Sequence, residues 1–180
     1  MGQPDVRPGE YRGGVDERDW AAVDTPLGVV FVSTTESGVR GVKLPGSRAP
    51  AAHVSSEPTG VLAAAVDEIR AYFDGQLRSF TLPIDWSRVD GFRRRVLSAL
   101  YEGVPFGSLI SYGDLGARAG DPTAARAVGE AMAANPYPIV VPCHRVVAGD
   151  GLGGFGGGLD MKRWLLAHEG VLPPMLDFGS

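Results

Sequence analysis

Three short apolar runs separated by turn residues open the hydrophobic part of the chain. Trp20, Ala21, Ala22 and Val23 predict a strand, residues 24–28 a turn and residues 29–33 a second strand. Residues 36–38 predict a second turn and residues 39–44 a third strand, together an antiparallel meander. Residues 45–58 have loop composition. Over residues 59–73 the period changes to that of a helix: Val61, Leu62, Ala65, Val66, Ile69, Tyr72 and Phe73 share one stripe, and Gly75 follows its end. Residues 80–84 read as an extended piece, with Pro83 suited to a sheet edge.

The second half reads differently. Residues 90–103 predict a helix that buries Phe92, Val96, Leu97, Leu100 and Tyr101 and exposes Arg93, Arg94 and Arg95. A turn at residues 104–107 leads to a short helix starting at Ile110 and ending near Gly120. Asp121 is expected to cap the next helix, residues 123–134, with Pro122 in its first position. Two short helices joined by a tight glycine-containing turn make a helix-turn-helix pattern. The apolar run Ile139-Val140-Val141 predicts a buried strand, and the last helix spans residues 160–169, burying Met161, Trp164, Leu165 and His168 or Leu166. The fold class is α/β in the α+β sense: a small N-terminal antiparallel-sheet-plus-helix domain over 20–86 and a mainly helical domain over 87–170. Residues 1–19 and 171–180 are expected to be flexible tails.

Composition narrows the function class. The longest apolar runs are too short to span a bilayer, and the first twenty residues lack the apolar core of a secretory signal. A single cysteine rules out an intramolecular disulfide and fits a reducing cytoplasm. With histidines only at 53, 144 and 168, no metal-site spacing exists. The net charge of −4 argues against a generally basic nucleic-acid binder. The distribution changes that picture: residues 86–170 carry nine Arg/Lys against eight Asp/Glu, so the acidity lies elsewhere.

The candidate chemistry gathers around Cys143, between Pro142 and His144. A thiol at the end of a buried strand is either a small core hydrophobe or a nucleophile. His144 is a candidate base, directly or through water, and Glu169 a partner for the imidazolium. Neighbours on a strand face opposite ways, so this pairing calls for a bridging water or a break in the strand after Pro142. His168 reads as structural. The second helix of the helix-turn-helix is rich in Ala and Gly, with Arg126 its only cation. Such a helix cannot read many base edges in a major groove, but it can lie against a narrow surface and push one long side chain in. The alternative is a helix packed tightly between neighbours. Gly151-x-Gly153-x-x-Gly156 matches a dinucleotide fingerprint only formally, because one helix and a short tail follow it where a βαβ unit is required.

The stretch from Asn135 to Val147 (NPYPIVVPCHRVV), the glycine loop after it and the closing K-x-W-L-L-x-x-E-G helix resemble the O6-alkylguanine-DNA alkyltransferase family. The SYGDL and AARAVG segments and the DTPLG hairpin extend the resemblance over about residues 20–170. It implies a ribonuclease H-like N-terminal domain and a protein that binds the minor groove of double-stranded DNA. The alkylated guanine is flipped out and its alkyl group passes irreversibly to a cysteine, once per molecule. On matching positions it implies Cys143 as acceptor, His144 as water-mediated base, Glu169 as its orienting partner and Asn135 as the link from recognition helix to active-site turn. Tyr112 becomes the donor to the leaving guanine and a phosphate-turning residue. Arg126 fills the gap left by the base, on a helix whose Ala125, Ala127 and Gly129 approach DNA. Pro138, Val146, Phe155, Gly156 and Gly157 would line the pocket, with the carbonyls of Cys143 and Val146 reading the guanine amino group. No cofactor, no metal and no obligate protein partner are implied, and a monomer suffices. Gly156 stands where many relatives have Ser, which implies a roomier pocket. Rival readings are a catalytically silent alkylguanine-DNA-binding module of the same fold, a cysteine hydrolase, and a helix-turn-helix regulator.

Overall fold

A computed structural model describes residues 19–175; the expected tails, apart from Asp19 and residues 171–175, lie outside that range. Strands β1 (Trp20–Thr25), β2 (Gly28–Thr35) and β3 (Gly38–Lys43) form the antiparallel meander in the order β1-β2-β3. The first turn is tighter than its composition suggests. Asp24 and Thr25 pair with Val29 and Gly28, leaving only Pro26 and Leu27 in the loop. Thr25 ties that loop shut, donating through Oγ1 to the Gly28 carbonyl and accepting from Leu27 N–H. Residues 80–84 lie against the edge of β3, where Val39 N–H donates to Pro83 O and Asp85 N–H to Val39 O. Helix α1 (Gly60–Phe73) covers β1 and β2 with Leu62, Ala65, Val66, Ile69, Tyr72 and Phe73.

Helix α2 (Gly91–Gly103) buries Val96, Leu97 and Leu100 and holds Phe92 and Tyr101 half-buried. It packs against α3 (Tyr112–Arg118) and α4 (Ala125–Ala133), the helix-turn-helix pair. Two expectations are corrected here. Ile110 and Ser111 do not begin a helix; they form β4, a parallel pair with β5 (Val146–Val147). Ser111 then caps α3 by accepting from Asp114 N–H. Asp121 does not cap the second helix either. Its carboxylate accepts from the N–H and hydroxyl of Thr123, closing a local turn that competes with helix, so α4 starts only at Ala125. The turn sits close under α3: a Cβ on Gly116 would meet the Asp121 carbonyl oxygen at 2.8 Å.

The last helix, α5 (Leu159–His168), rotates differently from its apolar reading. Lys162, Leu165, Leu166 and the capping Glu169 are buried, while Met161, Trp164 and His168 are half-buried. His168 is structural, with Nε2 2.7 Å from Tyr72 O and its ring stacked on Trp164.

The two halves meet through buried polar bonds. Tyr137 Oη donates to Asp85 O at 2.6 Å, Tyr101 Oη to Leu82 O at 2.8 Å, and Val42 N–H to Pro136 O at 2.9 Å. The strongest link is Glu169, which accepts five hydrogen bonds. Tyr72 Oη, from α1, and His144 Nε2 both reach Oε1 at 2.7 Å, joined by Arg145 Nη2 at 3.0 Å. Arg145 Nε and Gly107 N–H reach Oε2 at 2.9 and 3.2 Å. Burial alone would raise this carboxyl's pKa, but the His144 and Arg145 bonds and charges win and hold it far below its ordinary value. A depressed carboxylate stabilises the fold fully above its unfolded-state pKa and loses that contribution as pH falls toward the folded value. Glu169→Gln is therefore expected to cost about 3–5 kcal/mol at neutral pH, since it leaves Arg145 buried without its anion. Chemical denaturation at several pH values checks this. The deficit should be constant above about pH 5 and shrink as pH falls below the ordinary glutamate value near 4.5.

Candidate active site

Cys143 does not sit at the end of a strand. Residues 137–141 form turns, and Cys143–Arg145 is a single turn of 3-10 helix. The local sequence forces this. Pro136, Pro138 and Pro142 have no N–H to give a ladder. Asn135 supplies the missing partners, accepting from Tyr137 N–H through Oδ1 and donating through Nδ2 to Val141 O, each at 2.9 Å. Val141 N–H folds back to Tyr137 O, and Ile139 is driven to φ 75°, a conformation a β-branched residue rarely adopts. The break after Pro142 removes the strand objection to a paired Cys143 and His144, because successive residues of a 3-10 turn are not on opposite faces.

The Cys143 side opens on a cavity of about 270 Å³ lined by Tyr112, Gly129, Met132, Ala133, Cys143, Gly154, Phe155 and Gly156. The thiol is 7% exposed at its wall. Burial pushes its pKa up, opposed by the Asn135 amide, the Lys162 charge and the N–H groups of Cys143 and His144. Burial likewise holds the His144 pKa down against the pull of Glu169, so the ring is neutral at rest. Glu169 is ionised and can only accept, so His144 Nε2 carries the proton. That leaves Nδ1 as a bare acceptor, and it is buried with no partner among the described residues. The site therefore holds a neutral thiol, an adjacent base with a free lone pair, and a carboxylate behind that base.

Tyr112, the first residue of α3, lies in the cavity wall, its hydroxyl accepting a hydrogen bond from Gly154 N–H. The fit is close: a Cβ on Gly153 would meet Tyr112 Oη at 2.8 Å, and Gly153 has φ +71°. From α4, Gly129 lines the cavity; Ala125 and Arg126 are exposed, and Ala127 is half-buried. The Arg126 side chain is 94% exposed, with Glu130 3.6 Å away. The small-residue surface of α4 at these positions is thus not packed between neighbours. Phe155 and Gly156 line the cavity, whereas Pro138, Gly157 and Val146 are placed elsewhere. Pro138 is buried within the turn itself. Gly157 faces packing, where a Cβ would meet Met161 Sδ at 2.5 Å and Leu44 Cδ1 at 3.2 Å. The Val146 carbonyl accepts from Lys162 Nζ at 2.7 Å, and the Cys143 carbonyl from the N–H of Val146. Among the described residues no cluster of His, Cys, Asp or Glu could hold a metal, and no helix is long and apolar enough to cross a membrane.

Three participants escaped the sequence reading: Arg145, which shares Glu169 with His144; Tyr72, which reaches it from the other half; and Lys162. The signal for two of the site's charges was present. Lys162, Leu165, Leu166 and Glu169 fall at i, i+3, i+4 and i+7, placing two ionisable residues on one apolar stripe.

Comparison with known proteins agrees along nearly the whole described chain. Residues 20–86 match the 6-O-methylguanine DNA methyltransferase ribonuclease-like domain, and residues 91–171 match the DNA-binding domain of the same family. The human methylated-DNA–protein-cysteine methyltransferase is 41% identical over 162 residues, covering 82% of this chain and 78% of the relative. The protein of the same name from Mycolicibacterium paratuberculosis is 39% identical, covering 84% and 92%. Among solved structures, that of Mycobacterium tuberculosis OGT in complex with DNA superposes with a TM-score of 0.74 at 36% identity, covering 86% of this chain and 95% of that one. The O6-methylguanine-DNA methyltransferase of Pyrococcus kodakaraensis gives 0.63 at 30% identity, covering 84% and 99%. With both of its domains matched, and with Cys143 at the cavity and the His144–Glu169 pair buried behind it, the chain belongs to the 6-O-methylguanine DNA methyltransferase family.

Proposed function

We propose that this protein is a methylated-DNA–protein-cysteine methyltransferase that repairs O6-alkylguanine in duplex DNA by moving the alkyl group to Cys143. The observation that carries the assignment is the cavity itself. Its wall carries the only thiol in the chain, together with Tyr112 from α3 and Gly129, Met132 and Ala133 from α4, the two helices of the helix-turn-helix. A base flipped from a duplex bound along α4 enters beside Gly129 and stacks near Phe155. The small-residue surface of α4 suits a close approach to the minor groove, and Arg126, paired among the described residues only with the exposed Glu130, can swing out to occupy the gap left in the stack.

In the chemical step the Cys143 proton passes to His144 Nδ1, directly or through water. The imidazolium so formed is stabilised by Glu169, whose second oxygen is already neutralised by Arg145. The thiolate attacks the alkyl carbon; the S–C bond forms as the C–O6 bond breaks, and the electron pair stays on the purine. Tyr112 Oη stands in the cavity wall to donate to the leaving base, which is reprotonated to neutral guanine. The thioether has no partner here that could cleave it, so each molecule acts once. Asn135 has a positioning role: it holds the turn that carries Cys143 and lowers the thiol pKa.

Incubating the protein with duplex DNA containing O6-methylguanine should add one methyl group to Cys143 by intact mass, and Cys143→Ser should show none. Bound DNA with no mass change would instead favour a silent binding module. Arg126→Ala is expected to slow transfer from duplex DNA while leaving the reaction with free O6-benzylguanine unchanged, measured by single-turnover kinetics. A Cβ on Gly156 would meet nothing within 4 Å, so Gly156→Ser should fold normally. It should lower the benzyl-to-methyl rate ratio if the open space accommodates larger adducts; an unchanged ratio would remove that reading.

A further inference from the structure

The proposed chemistry leaves one buried charge unused. The Lys162 side chain is fully buried on α5, with Nζ donating to Val146 O at 2.7 Å and Gly154 O at 3.1 Å. The first carbonyl belongs to β5, directly after the turn that carries Cys143; the second belongs to the glycine loop on the far wall of the cavity. Lys162 therefore ties the loop to the reactive turn. Yet no carboxylate among the described residues pairs with it. Glu169, two turns further along the same stripe of α5, is saturated by Arg145, His144, Tyr72 and Gly107. A buried ammonium solvated by two carbonyl dipoles and no anion is costly. Both carbonyls flank Cys143, since Val146 N–H donates to the Cys143 carbonyl and Gly154 lines the same cavity as the thiol; of the groups whose charge couples to Lys162, Cys143 and His144, only Cys143 becomes an anion during the reaction.

We propose that Lys162 is the built-in counter-ion of the Cys143 thiolate: a positioning residue whose own unpaired charge favours ionisation of the thiol and is unpaired again once the sulfur is alkylated. The mutual influence has the required sign, since Lys162 lowers the thiol pKa and the Cys143 anion raises that of Lys162. The second half of the idea follows from charge balance. Conversion of thiolate to neutral thioether returns Lys162 to the state it has beside the neutral resting thiol, held by the carbonyls of Val146 and Gly154 with no anion paired to it. The inference rests on Cys143 as the reactive thiol but not on DNA as its substrate, so the test uses no DNA.

The rate of Cys143 alkylation by iodoacetamide is followed from about pH 6 to about pH 10 in the unmodified protein, Lys162→Met and Lys162→Arg, with the melting temperature of each recorded. The sulfur–carbon bond forms and iodide leaves, so the profile reports the thiolate fraction. Lys162→Met should move the midpoint up by about one unit, near tenfold in rate at neutral pH, and Lys162→Arg should restore most of it. Superimposed profiles for the unmodified protein and a folded Lys162→Met would overturn the proposal. If Lys162→Met does not fold, carbon-13 NMR of the Lys162 ε-carbon in the unmodified protein decides. Its resonance should show an inflection at the midpoint of thiol reactivity that vanishes after alkylation; no inflection there sinks the counter-ion role.

Discussion

Everything at the site depends on one buried carboxylate. Glu169 sits at the C-terminal end of α5, where the helix dipole disfavours negative charge. Five hydrogen bonds from three separate parts of the chain overcome that penalty and the cost of burial. The consequence is mechanical as well as electrostatic. Tyr72 brings the N-terminal helix to the C-terminal half, Arg145 fixes the back of the reactive turn, and the loop after α2 is held at Gly107. The same oxygen that accepts from Tyr72 orients His144 and sets its tautomer. A single anion thus couples the packing of the two halves to the protonation state of the base beside Cys143.

The reactive turn is a second constraint with a simple origin. Three prolines within seven residues forbid a strand, and the Asn135 side chain replaces the backbone partners they lack. The cost appears as the left-handed Ile139. What results is a thiol at a cavity wall rather than in a core, with His144 turned inward to Glu169. Charge follows the same pattern: Glu169 is matched by Arg145, His144 is kept neutral by burial, and Lys162 remains as a buried cation held by two carbonyls beside the reactive turn.

Much of the architecture was legible from local pattern. The meander, α1, α2 and the existence of a helix-turn-helix follow from apolar periodicity and turn residues, which are properties of neighbouring positions. The residues whose chemistry is intrinsic to their type, such as the lone Cys143, its neighbour His144 and the solitary Arg126 on a helix of small residues, could also be singled out. Errors fell where a competitor outside the periodic pattern, one local and one distant, decided the outcome. Asp121 preferred a turn with Thr123 to capping a helix, and Ile110 and Ser111 found a strand partner 36 residues away.

The sequence by itself determined which elements form and which side chain carries the nucleophile, because both depend on spacing and on the identity of single residues. Only the tertiary structure decided which charges face one another. Tyr72 meets Glu169 across 97 residues and Arg145 meets it across 24, distances over which no periodic pattern carries information. The turn that replaced the predicted strand belongs to the same class, since its Asn135 clamp works through a side chain whose orientation is set by packing. The pocket itself was decided last. Which glycines open it and which merely allow close packing depends on what lies opposite each absent Cβ: open space at Gly156, the Met161 sulfur at Gly157.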